Sequence, residues 1–220
     1  SIMAIASHFA TVFLGLEILS VSLYGLIAYF RERAISVEAA VKYLVLAGAA
    51  SAFLLMGMAL LYTFVGSMEI ESIARYQMGR EPLAPSIFWL GVALLLVGVG
   101  FKLGLAPFHM WTPDVYEGSP APVTALIATI SKGGMVAVIL RVTTTIWGNR
   151  PDGLPTALIA TLSMLAVASM TIGNLLALRE KSLKRIIAFS SISHFGYILI
   201  ALIASAGYLA VALDAVLFYV

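Results

Sequence analysis

The chain has 220 residues, of which 61% are hydrophobic and only 11% charged, and its mean hydropathy is +1.03. Soluble domains usually carry about 25% charged residues, so these values exclude a water-soluble fold and make the bilayer the solvent. The net charge of +2 is too small and dispersed for nucleic-acid binding, and the absence of Cys excludes disulfides, thiolate metal ligands and cysteine-ligated iron–sulfur clusters.

Crossing a hydrocarbon core of roughly 30 Å takes about 20 helical residues. Apolar runs between polar or Pro-rich breaks predict seven spans, at about 4–30, 38–66, 85–105, 121–146, 155–178, 183–205 and 208–220, the last incomplete. Lipid cannot satisfy an open backbone, and the short alternating pattern of a membrane barrel is missing, so the expected fold is all-α, a polytopic helix bundle. Ser1 opens the chain without a basic flank and cleavage site, so no signal peptide is expected. The chain stops inside an apolar run at Phe218, Tyr219 and Val220, as a piece of a longer protein would.

The first span carries Glu17 in an apolar setting, with Ser20 and Tyr24 on its helical face. A charge at the centre of a spanning helix costs roughly 2.5–3.5 kcal/mol on insertion scales, so such a residue needs a partner or a task. The connection Ser67 to Pro85 mixes Glu69, Glu71, Arg75, Arg80 and Glu81 with apolar residues and reads as a solvated loop with one short surface helix. The third span closes on Lys102. Beyond it, Pro107, Pro113, Pro120 and Pro122 interrupt an otherwise apolar run. Proline removes a backbone donor and clashes with the preceding turn, so the helix must break here. At membrane depth such a break survives only when buried in protein or lining a watery cavity.

Lys132 sits near the middle of the fourth span with Thr124 and Ala128 on its face and Gly133-Gly134 after it, small neighbours that let water or a helix approach. In the sixth span His194 shares a face with Ser190 and Tyr197, a pattern that suits either a satisfied core histidine or a water wire. Arg141 and Asp214 lie near span ends and read as interface anchors. His8, His109 and His194 are too far apart for a metal spacing, so no metal site is expected. No phosphate loop, dinucleotide fingerprint or hydrolytic triad is present. The Met and aromatic residues read as packing or lipid-facing groups. Desolvation lowers the pKa of a lysine and a nearby carboxylate raises it, so a Glu–Lys pair in a variable environment can load and release protons.

Connections one, three and five, with the helix ends, hold Arg31, Arg33, Lys42, Arg179, Lys181, Lys184 and Arg185; connections two and four hold Arg75, Arg80, Arg141 and Arg150. The positive-inside bias therefore places the first set on the cytoplasmic side.

The run Phe101-Lys102-Leu103-Gly104-Leu105-Ala106-Pro107-Phe108-His109-Met110-Trp111-Thr112-Pro113-Asp114-Val115-Tyr116-Glu117-Gly118-Ser119-Pro120 resembles the subunit N family of bacterial NADH-quinone oxidoreductase, the counterpart of mitochondrial complex I subunit 2. A second run, Leu183-Lys184-Arg185-Ile186-Ile187-Ala188-Phe189-Ser190-Ser191-Ile192-Ser193-His194-Phe195-Gly196-Tyr197, is shared more widely with antiporter-like subunits and multi-subunit cation/proton antiporters. The resemblance implies an antiporter-like fold with inverted five-helix repeats, and residues 1–220 as one transmembrane domain from the middle of a longer subunit. It implies a proton relay through Glu17, Lys102, Lys132 and, most weakly, His194, in a non-redox translocase subunit. FMN, iron–sulfur clusters and quinone would be bound by other subunits. Its implied partners are other membrane-arm subunits, including neighbouring antiporter-like ones, in the bacterial inner (plasma) membrane. A cation/proton antiporter subunit and a structural scaffold are the competing expectations.

Overall fold

The computed structural model describes residues 5–78, 86–147 and 154–205. Arg80, Glu81, Arg150, Asp214 and the span expected at 208–220 lie outside the described residues. Among those described there are eight helices: α1 (Phe9–Ile27), α2 (Ala34–Val65), α3 (Ile70–Met78), α4 (Ser86–Leu103), α5 (Trp111–Gly118), α6 (Ala121–Trp147), α7 (Thr156–Ala177) and α8 (Leu183–Ser205). All but α3 and α5 are long and apolar enough to cross a membrane, and each coincides with one expected apolar run to within a few residues. The all-α, polytopic expectation holds, with a proline-marked break between α4 and α5.

Close helix approach depends on small residues, as it does in lipid generally. Where α2 crosses α4, a Cβ on Gly57 would lie 2.8 Å from the Gly91 carbonyl oxygen; where α7 meets α8, one on Gly173 would lie 2.9 Å from the Phe189 carbonyl oxygen. These contacts leave no room for a methyl group, so the backbones themselves form the interface.

The connection after α2 differs from the expected solvated surface helix. α3 buries Ile70, Ile73 and Ala74, which follow the three-and-four spacing of one helix face, and only its opposite face carries Glu71 and Arg75. Its entry is tied to the start of α1: the Phe9 N–H donates to the Met68 carbonyl at 2.9 Å and the Ile70 N–H to the Ser7 carbonyl at 3.1 Å.

Two buried clusters fill the bundle. One is mainly aliphatic, built around Leu16, Leu54, Met58, Phe88, Met135 and Leu162, and lines an almost wholly apolar pocket of about 130 Å³. The other is aromatic, built around Tyr43, Phe101, Trp111 and Tyr116, and it wraps the break between α4 and α5. The two buried lysines border this second cluster.

Candidate functional site

The break after α4 is made by its own chemistry. Gly104 adopts φ +74°, the left-handed conformation that glycine enters without a Cβ penalty. The Leu105 N–H donates to the Gly100 carbonyl at 2.8 Å and the Gly104 N–H to the Phe101 carbonyl at 3.0 Å, the paired bonds that close a helix on a glycine. Trp111 then donates its indole N–H to the Phe101 carbonyl at 2.9 Å, and the Ala106 N–H finds Ser169 Oγ on α7 at 3.0 Å. Side chains and protein backbone, not lipid, thus satisfy the irregular segment.

Lys102 lies in the last turn of α4, where the helix dipole favours a cation. It is 6% exposed, so it does not reach out to an interface. Its Nζ donates to Ser20 Oγ on α1 at 3.0 Å and to Tyr43 Oη on α2 at 3.2 Å. Glu17, one turn before Ser20, accepts instead from the Ser51 hydroxyl on α2. Glu17 and Lys102 are not in direct contact here: no contact within 4.0 Å joins them, and two neutral hydroxyls hold the ammonium. Both residues line one small cavity of about 20 Å³, shared with Ser20 and Ser51. That is room for about one water.

Lys132 is fully enclosed, at 0% exposure. A π-helical turn, Ile127–Ser131, immediately precedes it. Thr124 is occupied at the start of α6, where its hydroxyl meets Ser119 Oγ at 2.9 Å. The Lys132 ammonium donates to Ser191 Oγ on α8 at 2.8 Å and lies 4.8 Å and 5.6 Å from the ring centroids of Phe195 and Tyr116. These are cation–π distances, and they replace part of the lost hydration without supplying an anion. A Cβ on Gly104 would lie 3.5 Å from Lys132 Nζ and 2.6 Å from Thr112 Oγ1, so the glycine at the break is also what lets α6 and α5 close around the ammonium. Thr112 Oγ1 and Tyr116 Oη, a turn apart on α5, are buried without a well-formed hydrogen bond, as is His109 Nδ1 at the break.

His194 does not lie in the core. It is exposed in this chain and packs edge-on to Tyr197 at 6.3 Å. With Ser190, Ser191, Thr129 and Gly133 it lines an open pocket of about 240 Å³ shared with Ile187, Phe195 and Ile198, so the hydroxyl that holds Lys132 is also in the wall of this recess. Glu17 and Lys102 thus share one cavity, and Ser191, which holds Lys132, lines the same recess as His194. Tyr43, Ser51 and Tyr116 complete these sites; their partners are distant in sequence, and nothing in the local pattern marks them.

An ionic lattice closes the end of the bundle nearest these lysines. Asp114 on α5 accepts from Lys42 at 2.8 Å and from Arg185 at 3.0 Å, and Arg185 also reaches Glu117 at 3.0 Å and Glu180 at 3.1 Å. Partial burial raises the Asp114 carboxyl, but the hydrogen bonds from Lys42 and Arg185 outweigh it and hold the group below its usual value. Lys184 adds a bond to the Ser119 carbonyl at 2.7 Å. Basic residues of connections one and five meet acids of connection three here, which agrees with the assignment of all three to one side.

Comparison with known proteins gives the same picture. A subunit N of NADH-quinone oxidoreductase from Nitrosospira multiformis is 48% identical over 90% of this chain and 38% of its own length. The chain thus spans about two fifths of that relative. Respiratory complex I from Thermus thermophilus contains a chain 38% identical, with a TM-score of 0.80, over 99% of this chain and 45% of that one. The Mrp complex from a Dietzia strain contains one 25% identical, with a TM-score of 0.81, over 97% of this chain and 38% of that one. Six spanning helices and these bacterial relatives place the chain in a bacterial inner membrane as a multi-pass protein. Residues 6–220 match the family model described as the NADH:quinone oxidoreductase/Mrp antiporter transmembrane family, and the chain belongs to that family.

Proposed function

We propose that this chain is a proton-carrying transmembrane unit within a longer membrane-arm subunit of an NADH:quinone oxidoreductase. Electron transfer from NADH to quinone, with its flavin and iron–sulfur carriers, takes place in other subunits. Neighbouring membrane-arm subunits, antiporter-like ones among them, are its partners. The observation that carries this reading is the pair of buried ammonium groups, Lys102 and Lys132, on the two sides of the Gly104 break, with Glu17 facing the first across a cavity of about 20 Å³.

The chemistry follows from how each ammonium is solvated. When Lys102 moves from Ser20 and Tyr43 toward Glu17, the carboxylate stabilises its proton; when it moves back, that stabilisation is withdrawn and the proton is easier to release. Lys132, held by a neutral hydroxyl with no carboxylate within 4.0 Å among the described residues, is the natural next carrier. Ser191 and His194 continue the polar route to the open recess. The decisive experiment uses the assembled complex in sealed vesicles. Lys102→Ala and Glu17→Ala should each cut proton pumping driven by NADH:quinone turnover severalfold. Unchanged pumping and turnover in both would overturn the reading.

The Dietzia likeness supports a second reading, a cation/proton antiporter subunit, because its fold match is as good. Sodium-dependent proton exchange in vesicles without NADH would favour it. A purely structural role predicts that charge-removing variants lose assembly rather than pumping.

A further inference from the structure

Among the described residues, Tyr43 is the hydroxyl-bearing ring that the Lys102 ammonium donates to, and it is held with little freedom. It is 1% exposed and wedged among Tyr24, Phe101 and Trp111, with ring centroids 5.7, 6.3 and 5.0 Å away. Trp111 is itself pinned by its bond to the Phe101 carbonyl. The phenol oxygen therefore stays 3.2 Å from Lys102 Nζ. Ser20, the other acceptor, spends its own proton on the Leu16 carbonyl at 2.8 Å, so its lone pairs face the lysine. Two of the three ammonium donors are thus taken by neutral oxygens. The carboxylate that would attract the ammonium most, Glu17, is occupied by Ser51. The charged and titratable groups facing Lys102 are Glu17 and Tyr24 on α1 and Tyr43 on α2, with Lys132 on α6 beyond Gly104.

We propose that Tyr43 is a positioning residue that parks Lys102 away from Glu17, so that ion pairing is a competition between a fixed phenol and a carboxylate across a one-water cavity. This rests on the proton-carrier reading of Glu17 and Lys102. Removing the phenol oxygen deletes the competitor while leaving the aromatic stack in place. Lys102 then dwells on Glu17, which holds its proton more tightly.

The test is Tyr43→Phe in the intact complex in vesicles, reading the pH profile of proton pumping. The alkaline limb should move up by about one pH unit, the lower end of what an opposite charge at close range does. In a Glu17→Asp background, whose carboxylate is one methylene shorter, Tyr43→Phe should move the limb by less than half as much. An unmoved limb in the single variant, or an equal shift in both backgrounds, overturns the parking role while leaving the proton-carrier reading intact. Glu17→Gln is the separate check on that reading: wild-type pumping and an unchanged profile in Glu17→Gln overturn it and this inference together. Assembly measured alongside should be at the wild-type level in Tyr43→Phe, because the ring contacts remain.

Discussion

Lys102 and Lys132 are both buried ammonium groups within reach of the same glycine break, yet they are solvated in different ways. Lys102 has two neutral hydroxyls at hydrogen-bond distance and a carboxylate across a small cavity. Lys132 has one hydroxyl, two aromatic faces and no carboxylate among the described residues within 4.0 Å. A buried charge is tolerated when its surroundings replace its hydration, and an aromatic face does this less well than an anion. On the proton-carrier reading proposed above, the first site changes its hold on a proton by moving the lysine a short way, and the second, with no carboxylate nearby among the described residues, depends on its hydroxyl and aromatic contacts.

The sharpest way to break this contrast is to remove the second charge while keeping its volume. Lys132→Met should lower pumping by about a hundredfold, the lower end of what a positioned proton-transfer group contributes. Complex stability should be unchanged or slightly higher, since an apolar side chain of similar size often replaces a buried charge without loss. Loss of pumping together with loss of assembly would instead make Lys132 a packing residue. The complementary Lys102→Met should be harsher on stability, because it leaves the buried Ser20 and Tyr43 oxygens without the donor they now accept from.

The next effect in size concerns the backbone between them. Gly104→Ala forces a Cβ into a left-handed position and against Thr112 Oγ1 at 2.6 Å. The conformational penalty alone is about 1–2 kcal/mol. Thermal unfolding of the purified complex should show reduced stability, and pumping should fall because α5 can no longer close on Lys132. A wild-type melting profile would show that the break tolerates a side chain and that the glycine is not what brings the two lysine sites together.

How far these sites could be read from the sequence depends on the kind of signal each leaves. The spanning helices are written in apolar run length, so the runs at 38–66 and 183–205 anticipated α2 and α8 closely. The break was legible because Pro107 and its neighbours cannot continue a helix. Glu17, Lys102 and Lys132 stood out because a charge in an apolar run is costly wherever its partner lies. Their partners were not legible. Tyr43 and Ser51 lie on a different helix from Glu17, and a tyrosine in an apolar helix looks the same whether it faces lipid or a lysine. The π-helical turn before Lys132 left no mark in the pattern either. The buried side of α3 was written plainly in the spacing of Ile70, Ile73 and Ala74, but the charges around it suggested a solvated loop.

Ser191 offers a finer cut at the difference between the two sites. Ser191→Ala removes the single hydroxyl that holds Lys132, at a cost of about 1 kcal/mol for the lost hydrogen bond. Pumping should fall severalfold, and the alkaline limb that reports on Lys102 should stay where it is. Equal movement of that limb would mean that the two lysines titrate as one unit.

The smallest effect is expected where the ion pairs are most numerous. Asp114 is partly exposed, so its bonds to Lys42 and Arg185 are screened by water and ions. Its carboxyl lies below the usual value in the folded chain, so its contribution is fully present above about pH 4, the ordinary carboxylate range, and is lost as pH falls through the lower folded value. Asp114→Asn should therefore narrow the stability difference between neutral and acidic pH, with little change in the pumping profile at neutral pH. The contrast with the lysine sites is one of burial. At the lattice, solvent shares the work with every partner, so losing one acid costs little. Inside the bundle each hydroxyl or aromatic face has no substitute. An Asp114→Asn variant that lost pumping as severely as Lys132→Met would mean that the lattice sets the position of α5, and with it Thr112 and Tyr116, in each proton transfer.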